Sequence, residues 1–161
     1  MSLSPQAAPA FQPADPDYAR RVRDSFARQA AMTLIGAELV ELQPGRLRMT
    51  LAHSERVTQQ HGFIHAGIVA TALDSACGYA ASTLMPFDAG VLTIEFKINL
   101  LAPARGPLLA IEAEVVKAGR TISVAEGRAW QPHPGRPGQQ QLVATLQATL
   151  MTVTGRDDVR A

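Results

Sequence analysis

The sequence predicts an α+β domain in which an antiparallel sheet wraps around one long apolar helix. Residues 61–81, HGFIHAGIVATALDSACGYAA, read as a helix that is apolar nearly all round and carries a single ionised group, Asp74. Residues 91–100 alternate with period two, and three further strand-like segments follow at 108–116, 122–130 and 142–153. A helix without a polar face is buried in a core, and a sheet curled around it would provide that cover.

The elements before this helix are a short helix and a hairpin. A helix is predicted over residues 16–31, with Asp15 as its N-cap and a proline at its first position. Strands are predicted at 34–42 and 46–51, on either side of the turn signal Pro44-Gly45. In the second strand every other residue is apolar, which directs that face towards the core.

The buried helix itself is predicted over residues 65–84, and Pro86 ends it. In the strand that follows, one face is predicted to be apolar throughout: Leu92, Ile94, Phe96, Ile98 and Leu100. In the strand at 122–130, Gly127 lies among the small residues Ala125 and Ala129, which suits close packing over a helix.

The length of 161 residues predicts one domain, over residues 15–154. The Pro-, Ala- and Gln-rich segment 1–14 is predicted to be a disordered tail, and residues 155–161 a C-terminal tail. Charged residues make up only 18% of the chain, below the usual quarter. A surface with so few charges indicates that another subunit covers part of it.

Several classes of function receive no support from the composition. The net charge is +1 and no basic run occurs, which argues against nucleic-acid binding. The single Cys77 excludes an intramolecular disulfide, and the scattered histidines have no partners at ligand spacing, so neither a metal nor another cofactor is predicted. The N-terminus has no signal-peptide pattern, and no apolar run approaches the roughly 20 residues of a membrane span. We therefore expect a cytoplasmic protein.

Asp74 is the residue whose environment most needs explaining. A lone buried carboxylate costs several kcal/mol unless it is paired or hydrogen-bonded. It is therefore either a satisfied structural acid or a group placed for chemistry. It lies nine residues after His65, about half a turn out of phase and ~13 Å along a helix axis. The two side chains can serve one site only if two copies of the chain bring them together, which predicts a twofold dimer.

A motif around these two residues is similar to a known family. The string Gln59-x-x-Gly62-x-x-His65-Ala66-Gly67, followed by Leu73-Asp74, resembles the hotdog-fold thioesterases, in particular the PaaI-like acyl-CoA thioesterase group. The resemblance spans roughly residues 30–153. It implies the hotdog fold, hydrolysis of acyl-CoA thioesters, and sites at a dimer interface. Two departures from the family pattern are Gln59, where Asn is common, and Ala66, where the family has Gly.

The resemblance also implies roles for individual residues. Asp74 would act as general base or as nucleophile, and Thr93 would orient the carboxylate or a water. The N–H groups of Ala66 and Gly67 at the helix start would form an oxyanion hole. The thioester would be positioned by Gln59 and His65, and substrate contacts are predicted for Gly62, Phe63 and Gly67.

Coenzyme A carries phosphate groups. A candidate contact for them is the turn between the second and third of the strands that follow the long apolar helix. Lys117, Gly119 and Arg120 lie in this turn, and Arg105 is a further candidate. The simpler interpretation is that these are solvated surface residues.

A non-catalytic acyl-CoA-binding module stays open as an alternative function. An acyl-thioester hydratase ranks lower, because the chain has no Asp-x-x-x-x-His arrangement matching that chemistry. The acyl group, and whether two dimers associate into a tetramer, stay open.

Overall fold

The computed structural model describes residues 11–159, and it confirms the predicted fold class. The elements in chain order are α1 Tyr18–Arg28, α2 Ala30–Ile35, β1 Ala37–Gln43, β2 Arg46–Ala52, a 3-10 turn Glu55–Val57, α3 Ala66–Ser82, β3 Gly90–Leu100, β4 Leu108–Lys117, β5 Ile122–Pro132, β6 Gln140–Val153 and a 3-10 turn Asp157–Val159. The six strands form one sheet in the order β1-β2-β4-β5-β6-β3, and all neighbours are antiparallel. No helix within residues 11–159 is long and apolar enough to cross a bilayer.

The predicted tails lie partly outside the described residues. Residues 1–10 of the tail predicted over 1–14, and residues 160–161 of the tail predicted over 155–161, are not described. In the described part Phe11 is half-buried and packs on the core, where its ring adjoins Gly45 in the β1–β2 turn. The domain boundaries stay a prediction.

The sheet curls around α3, and the two lie close together at Gly127 of β5. Ten of the 17 residues of α3 are buried. A Cβ on Gly127 would lie 3.0 Å from Leu73 Cδ2 and 3.1 Å from Cys77 Sγ. Ala125 and Ala129, two residues to either side, are fully buried. The small residues of β5 therefore let the helix lie directly on the strand, as the sequence predicts.

The prediction that α3 is buried on every side is wrong for one stripe. The stripe that starts at the helix N-terminus is exposed or half-buried, and it comprises Ala66, Gly67, Ala70, Thr71, Asp74 and Ser75. These positions follow the helical repeat along one face. The stripe stays open because the sheet covers only the remaining faces of the helix. Asp74 is therefore half-buried rather than sunk in the core.

The edge strand β3 contains a β-bulge that changes which residues face α3. Thr93 pairs with Leu150 and Glu95 with Thr149, so Ile94 is an extra residue without a partner in the register. After the bulge Phe96, Ile98 and Leu100 face the helix side, opposite Ala148, Leu146 and Ala144. Before it, Thr93 faces α3 and Leu92 faces outwards, so the prediction that Leu92 shares one face with the later apolar residues is wrong. Strict alternation would have turned Thr93 away from the helix.

The C-terminal end of α3 is held by α1. The helix ends at Ser82 and not at the predicted position 84, before Pro86 is reached. The Arg21 guanidinium donates to the Ser82 carbonyl (3.0 Å), the Ser82 hydroxyl (3.2 Å) and the Met85 carbonyl (3.0 Å). A cation is favourable there because the carbonyls at a helix C-terminus carry partial negative charge. Asp15 pairs with the same guanidinium at 2.8 Å.

The N-terminal elements differ from the prediction in their boundaries. The single helix expected over 16–31 is divided at Gln29, whose backbone is extended, into α1 and α2. Asp15 is not the N-cap, which is Asp17, although the Asp15 carboxylate accepts the Asp17 N–H at 2.9 Å. The strand expected from residue 34 starts at Ala37, because α2 continues to Ile35 and Gly36 ends it in the left-handed conformation at φ 74°.

Enlarging Gly127 tests the close approach of α3 to β5. Gly127→Val places two methyl groups against Leu73 and Cys77, and overpacking of this kind costs about 1–3 kcal/mol of unfolding free energy. Urea denaturation followed by circular dichroism measures the cost. Gly135→Ala is the control, because the nearest atom to its Cβ is 4.0 Å away. Equal stability of the Val variant and the wild type would contradict the packing.

The buried pair of Asp15 and Arg21 predicts a dependence of stability on pH. The Arg21 hydrogen bond lowers the pKa of Asp15 below its ordinary value of 3.8. The stabilisation is therefore complete above the ordinary value and is lost as the pH falls through the lower folded value. We expect Asp15→Asn to reduce the melting temperature at neutral pH, with a difference from wild type that disappears in acid. Asp17→Asn, which removes an exposed pair with Arg20, should change little at any pH.

Candidate active site

The N-terminus of α3 presents a single free backbone donor. His65 is the N-cap, and its Nδ1 accepts the Gly67 N–H at 2.9 Å. The expectation that the Gly67 N–H is available to a substrate is therefore wrong, because its own chain already binds it. The Ala66 N–H has no hydrogen-bond partner within residues 11–159. Since Nδ1 is an acceptor, the neutral His65 ring carries its proton on Nε2, where it can donate.

A tight turn holds Gln59 beside this helix start. Gly62 adopts φ 80°, and its N–H donates to the Gln59 carbonyl at 2.9 Å. Gln59 Oε1 accepts the N–H of His61, and His53 Nε2 bonds the Gly62 carbonyl at 2.9 Å. The amide oxygen of Gln59 is therefore used within the turn. Its Nε2 has no protein partner in the described part of the chain, so it is a free donor.

These residues line an open pocket of about 540 Å³. Gln59, Phe63, His65 and Ala66 form one wall, and the segment from residue 100 to residue 104 forms the other, with Val69 and Val143 between them. The two walls are joined where the Ile64 N–H donates to the Ala104 carbonyl at 2.8 Å. The guanidinium of Arg105 lies 4.7 Å from the centre of the Phe63 ring. The structure thus brings five of the predicted site residues together.

Asp74 and Thr93 form a second group, which lies outside this pocket. The Thr93 hydroxyl donates to Asp74 Oδ1 at 2.8 Å. No described residue bonds Asp74 Oδ2. The carboxylate lies on the open stripe of α3, ~12 Å along the axis from the helix start. Within one chain, therefore, it cannot act on a group held at the Ala66 N–H.

The turn with the predicted coenzyme A residues lies at the Thr93 end of the sheet. Thr93 on β3 and Ser123 on β5 are both paired with Leu150 of β6, so the three form one row across the sheet. The turn at residues 117–121 directly precedes Ser123, whereas the pocket adjoins Leu100 at the opposite end of β3. Lys117, Gly119 and Arg120 thus lie at the Thr93 end of the sheet and not at the pocket of the same chain.

Comparison with known proteins decides the family. The model of the thioesterase superfamily matches residues 61–137, from the turn before α3 through β5. A protein of Halobacterium salinarum named "Putative esterase" is 32% identical over 115 residues, 68% of this chain and 76% of that protein. The crystal structure of a thioesterase family protein from Silicibacter pomeroyi has 52% identity and a TM-score of 0.81, covering 86% of this chain and 99% of the other. The chain belongs to the thioesterase superfamily.

Two further similarities complete the comparison. The Escherichia coli PaaI protein of the phenylacetic acid degradation operon has a TM-score of 0.74 at 18% identity, covering 86% of this chain and 95% of that one. This likeness confirms the predicted hotdog fold. A 1,4-dihydroxy-2-naphthoyl-CoA hydrolase of Listeria monocytogenes is 28% identical over 92 residues, 57% of this chain and 75% of that protein.

Cys77 is not a nucleophile of the candidate active site. Burial, with a smaller contribution from the nearby Asp74 charge, raises the pKa of the thiol to about 12. The thiol is therefore neutral at physiological pH, and only a thiolate would be nucleophilic. Cys77 instead fills space in the core, where it is fully buried. Within residues 11–159, no cluster of three or more His, Cys, Asp or Glu could hold a metal ion.

Sequence reasoning missed two features of the site. One is the bulge at Ile94, which turns Thr93 towards Asp74. The other is Gln131, a fully buried amide on β5 that binds the pocket wall at residues 103–106. A glutamine within a strand carries no pattern that distinguishes it from a solvent-facing residue. Only its burial and hydrogen bonds identify it.

Proposed function

We propose that the protein is an acyl-CoA thioesterase that hydrolyses a medium-chain or aryl acyl-CoA to the free acid and coenzyme A. The observation that carries the proposal is the Asp74 carboxylate, which Thr93 orients on the open stripe of the central helix. One carboxylate oxygen is fixed by the hydroxyl and the other is free to contact a reactant. Membership in the thioesterase superfamily supports thioester hydrolysis as the reaction.

The free oxygen of Asp74 can act in either of two ways. As general base it accepts a proton from water while the water oxygen attacks the thioester carbonyl. As nucleophile it attacks that carbonyl itself, which forms a mixed anhydride that water then hydrolyses. In both cases the C–S bond breaks and coenzyme A leaves as its thiolate, which takes up a proton. Thr93 holds the carboxylate in place for either route.

The start of α3 supplies the complementary electrophilic group. The Ala66 N–H has no partner among the described residues, and it lies at the positive end of the helix dipole. It can therefore donate to the oxygen of the tetrahedral intermediate, and one such donor is worth about 3–4 kcal/mol of transition-state stabilisation. The Nε2 atoms of His65 and Gln59 are further donors for the carbonyl or the sulfur.

The two groups form one site in a homodimer paired through β3. This edge strand exposes Ile94, Phe96 and Leu100 at 54%, 44% and 53%. An exposed apolar edge is unfavourable in water and is normally covered. A twofold axis pairs β3 with its copy in antiparallel fashion, so the Thr93 end of one strand meets the Leu100 end of the other. The start of the partner's α3 then approaches Asp74, and two equivalent sites result.

The same arrangement gathers the positive charges proposed for coenzyme A. Lys117 and Arg120 lie in the turn at the Thr93 end of the sheet. In the dimer, Arg105 of the partner subunit would lie on the same side, because it adjoins the partner's pocket. Phosphates favour such contacts because each arginine or lysine provides charge-assisted donors. Gly119 serves the turn itself, because a Cβ there would lie 2.2 Å from the Ile122 carbonyl oxygen. Association of two dimers into a tetramer stays a prediction.

The pocket beside α3 supports an acyl group of moderate size. Its wall is apolar along Leu100, Leu101 and Pro103, and Phe63 and Val143 extend that surface. About 540 Å³ accommodates an aromatic ring or a medium-length chain. The Listeria relative named above is a hydrolase of an aryl-CoA thioester, which supports the same class of substrate.

Replacing Asp74 tests the catalytic assignment. Asp74→Asn keeps the shape of the side chain but removes the base, so we expect kcat to fall on the order of 10²–10⁴-fold. Thiol release is measured with straight-chain and aryl acyl-CoAs. Ser75→Ala, the neighbouring half-buried position, should retain wild-type rates. Thr93→Ser should keep the hydrogen bond to Asp74, and Thr93→Val should lose it. Equal rates for Asp74→Asn and wild type would remove Asp74 from the mechanism, and binding without turnover by wild type would favour a non-catalytic module.

Mixing two inactive variants tests whether the site is shared between subunits. Ala66→Pro removes the free N–H at the first helical position, where proline is well tolerated, and should reduce activity. In a mixed dimer of Asp74→Asn and Ala66→Pro subunits, one of the two sites has both groups intact. Doubly tagged heterodimers should therefore recover about half of the wild-type rate. No recovery in a confirmed heterodimer would contradict a site formed by two chains.

A further inference from the structure

The buried Gln131 side chain uses its complete hydrogen-bonding capacity. It is 1% exposed. Its Oε1 accepts the N–H groups of Arg105 and Gly106, both at 2.9 Å. Its Nε2 donates to the Pro103 carbonyl at 3.0 Å and to Gln141 Oε1 at 2.9 Å. A primary amide can accept two and donate two hydrogen bonds, so no capacity is left over.

Three of these four bonds hold the irregular segment between β3 and β4. The segment has no strand neighbour over residues 103–106, and Gln131 provides backbone contacts in its place. Its ends are tied separately: the Leu101 N–H donates to the Val143 carbonyl at 2.8 Å, and the His53 N–H to the Pro107 carbonyl at 3.0 Å. In the middle of the segment, Gln131 therefore supplies three hydrogen bonds to the backbone.

The fit between Gln131 and this segment is close at Gly106. A Cβ on Gly106 would lie 3.0 Å from Gln131 Cβ and 3.3 Å from its Oε1. Glycine at this position therefore allows the backbone to approach the amide closely. The glycine at position 106 and the glutamine at position 131 therefore fit each other sterically.

The segment in turn contacts the start of α3. The Ala104 carbonyl, next to Pro103, accepts the Ile64 N–H at 2.8 Å. Ile64 is followed directly by His65 and by Ala66, whose N–H is the proposed oxyanion donor. Arg105, whose own N–H is bound by Gln131, lies over Phe63 on the facing wall. A shift of residues 103–106 would therefore move both the acyl pocket and the donor.

We propose that Gln131 is a positioning residue. It holds the segment 103–106, of which Pro103 and Ala104 line the pocket, and through Ala104 and Ile64 it sets the orientation of the Ala66 N–H towards the thioester carbonyl. This inference rests on the proposed thioesterase function. Gln131 itself does not line the pocket, although it binds the carbonyl of Pro103, which does. Its influence is confined to the geometry of the groups that do.

Two substitutions of Gln131 and one control test the proposal. Gln131→Met has a similar volume and removes all four bonds. Gln131→Glu keeps an acceptor for Arg105 and Gly106 but loses the donor to Pro103. Gln141→Met removes only the fourth bond and leaves the segment held. With the acyl-CoA that wild type hydrolyses fastest, kcat/KM should fall about 10–100-fold in the Met variant, less in the Glu variant, and hardly in Gln141→Met.

The temperature of the assay separates positioning from stability. Each variant is assayed well below its melting temperature, where a purely structural role leaves the folded protein with wild-type kcat and KM. Positioning predicts a rise in KM from the displaced wall together with a fall in kcat from the displaced donor. Wild-type kinetics in Gln131→Met, or an equal effect in Gln141→Met, would overturn the proposal.

Hydrogen exchange tests the same coupling without turnover. In Gln131→Met we expect faster amide exchange in peptides covering residues 101–107 and also in those covering 59–66, with the remaining sheet unchanged. Unchanged exchange at 59–66 would overturn the link from Gln131 to the helix start. Because this measurement needs no substrate, it remains decisive if the wild type hydrolyses no acyl-CoA, an outcome that would instead remove the proposed function.

Discussion

The architecture depends on a central helix that the sheet of one chain covers incompletely. The buried faces of α3 are largely apolar, and β5 lies close to them at Gly127, where a Cβ would be 3.0 Å from Leu73 Cδ2 and 3.1 Å from Cys77 Sγ. Burial on that side fixes the rotation of the helix about its axis. The same rotation leaves Asp74 on the open stripe. The packing of α3 against the small residues of β5 thus determines which face of the helix stays open.

A side chain holds each end of α3: one from another helix at the C-terminal end, and the N-cap residue at the N-terminal end. Arg21 satisfies carbonyls at the C-terminal end, and His65 satisfies the Gly67 N–H at the N-terminal end. The His65 carbonyl accepts the N–H groups of Ile68 and Val69 as well. Within the described residues, the Ala66 N–H is therefore the donor that remains at the start of the helix. The cap therefore selects a single donor and fixes the tautomer of the ring that flanks it.

Those parts of the fold that depend on repeated patterns could be predicted from the sequence. The long apolar run of α3 and the alternation of Leu47, Met49 and Leu51 in β2 are unambiguous, and these three residues are buried. The pairing of Thr93 with Asp74 followed from the family resemblance, whereas alternation alone turns Thr93 the wrong way. The Gly67 hydrogen bond is a local cap made by the ring two residues earlier, whereas the bulge and the bonds of Gln131 are tertiary features. They arise from the geometry of neighbouring elements, which leaves no periodic signal in one chain.

The bulge at Ile94 has a consequence for the lengths that β3 can tolerate. Successive side chains of a strand point to opposite faces of the sheet. An insertion or deletion of one residue between Gly90 and Phe96 would therefore turn the side chains of part of the strand to the wrong face. The loop at residues 133–139 is exposed over most of its length, and a change in its length would not alter which side chains face the core. Across relatives of this chain, length variation should therefore accumulate in that loop and be rare in the few residues that lead to Phe96.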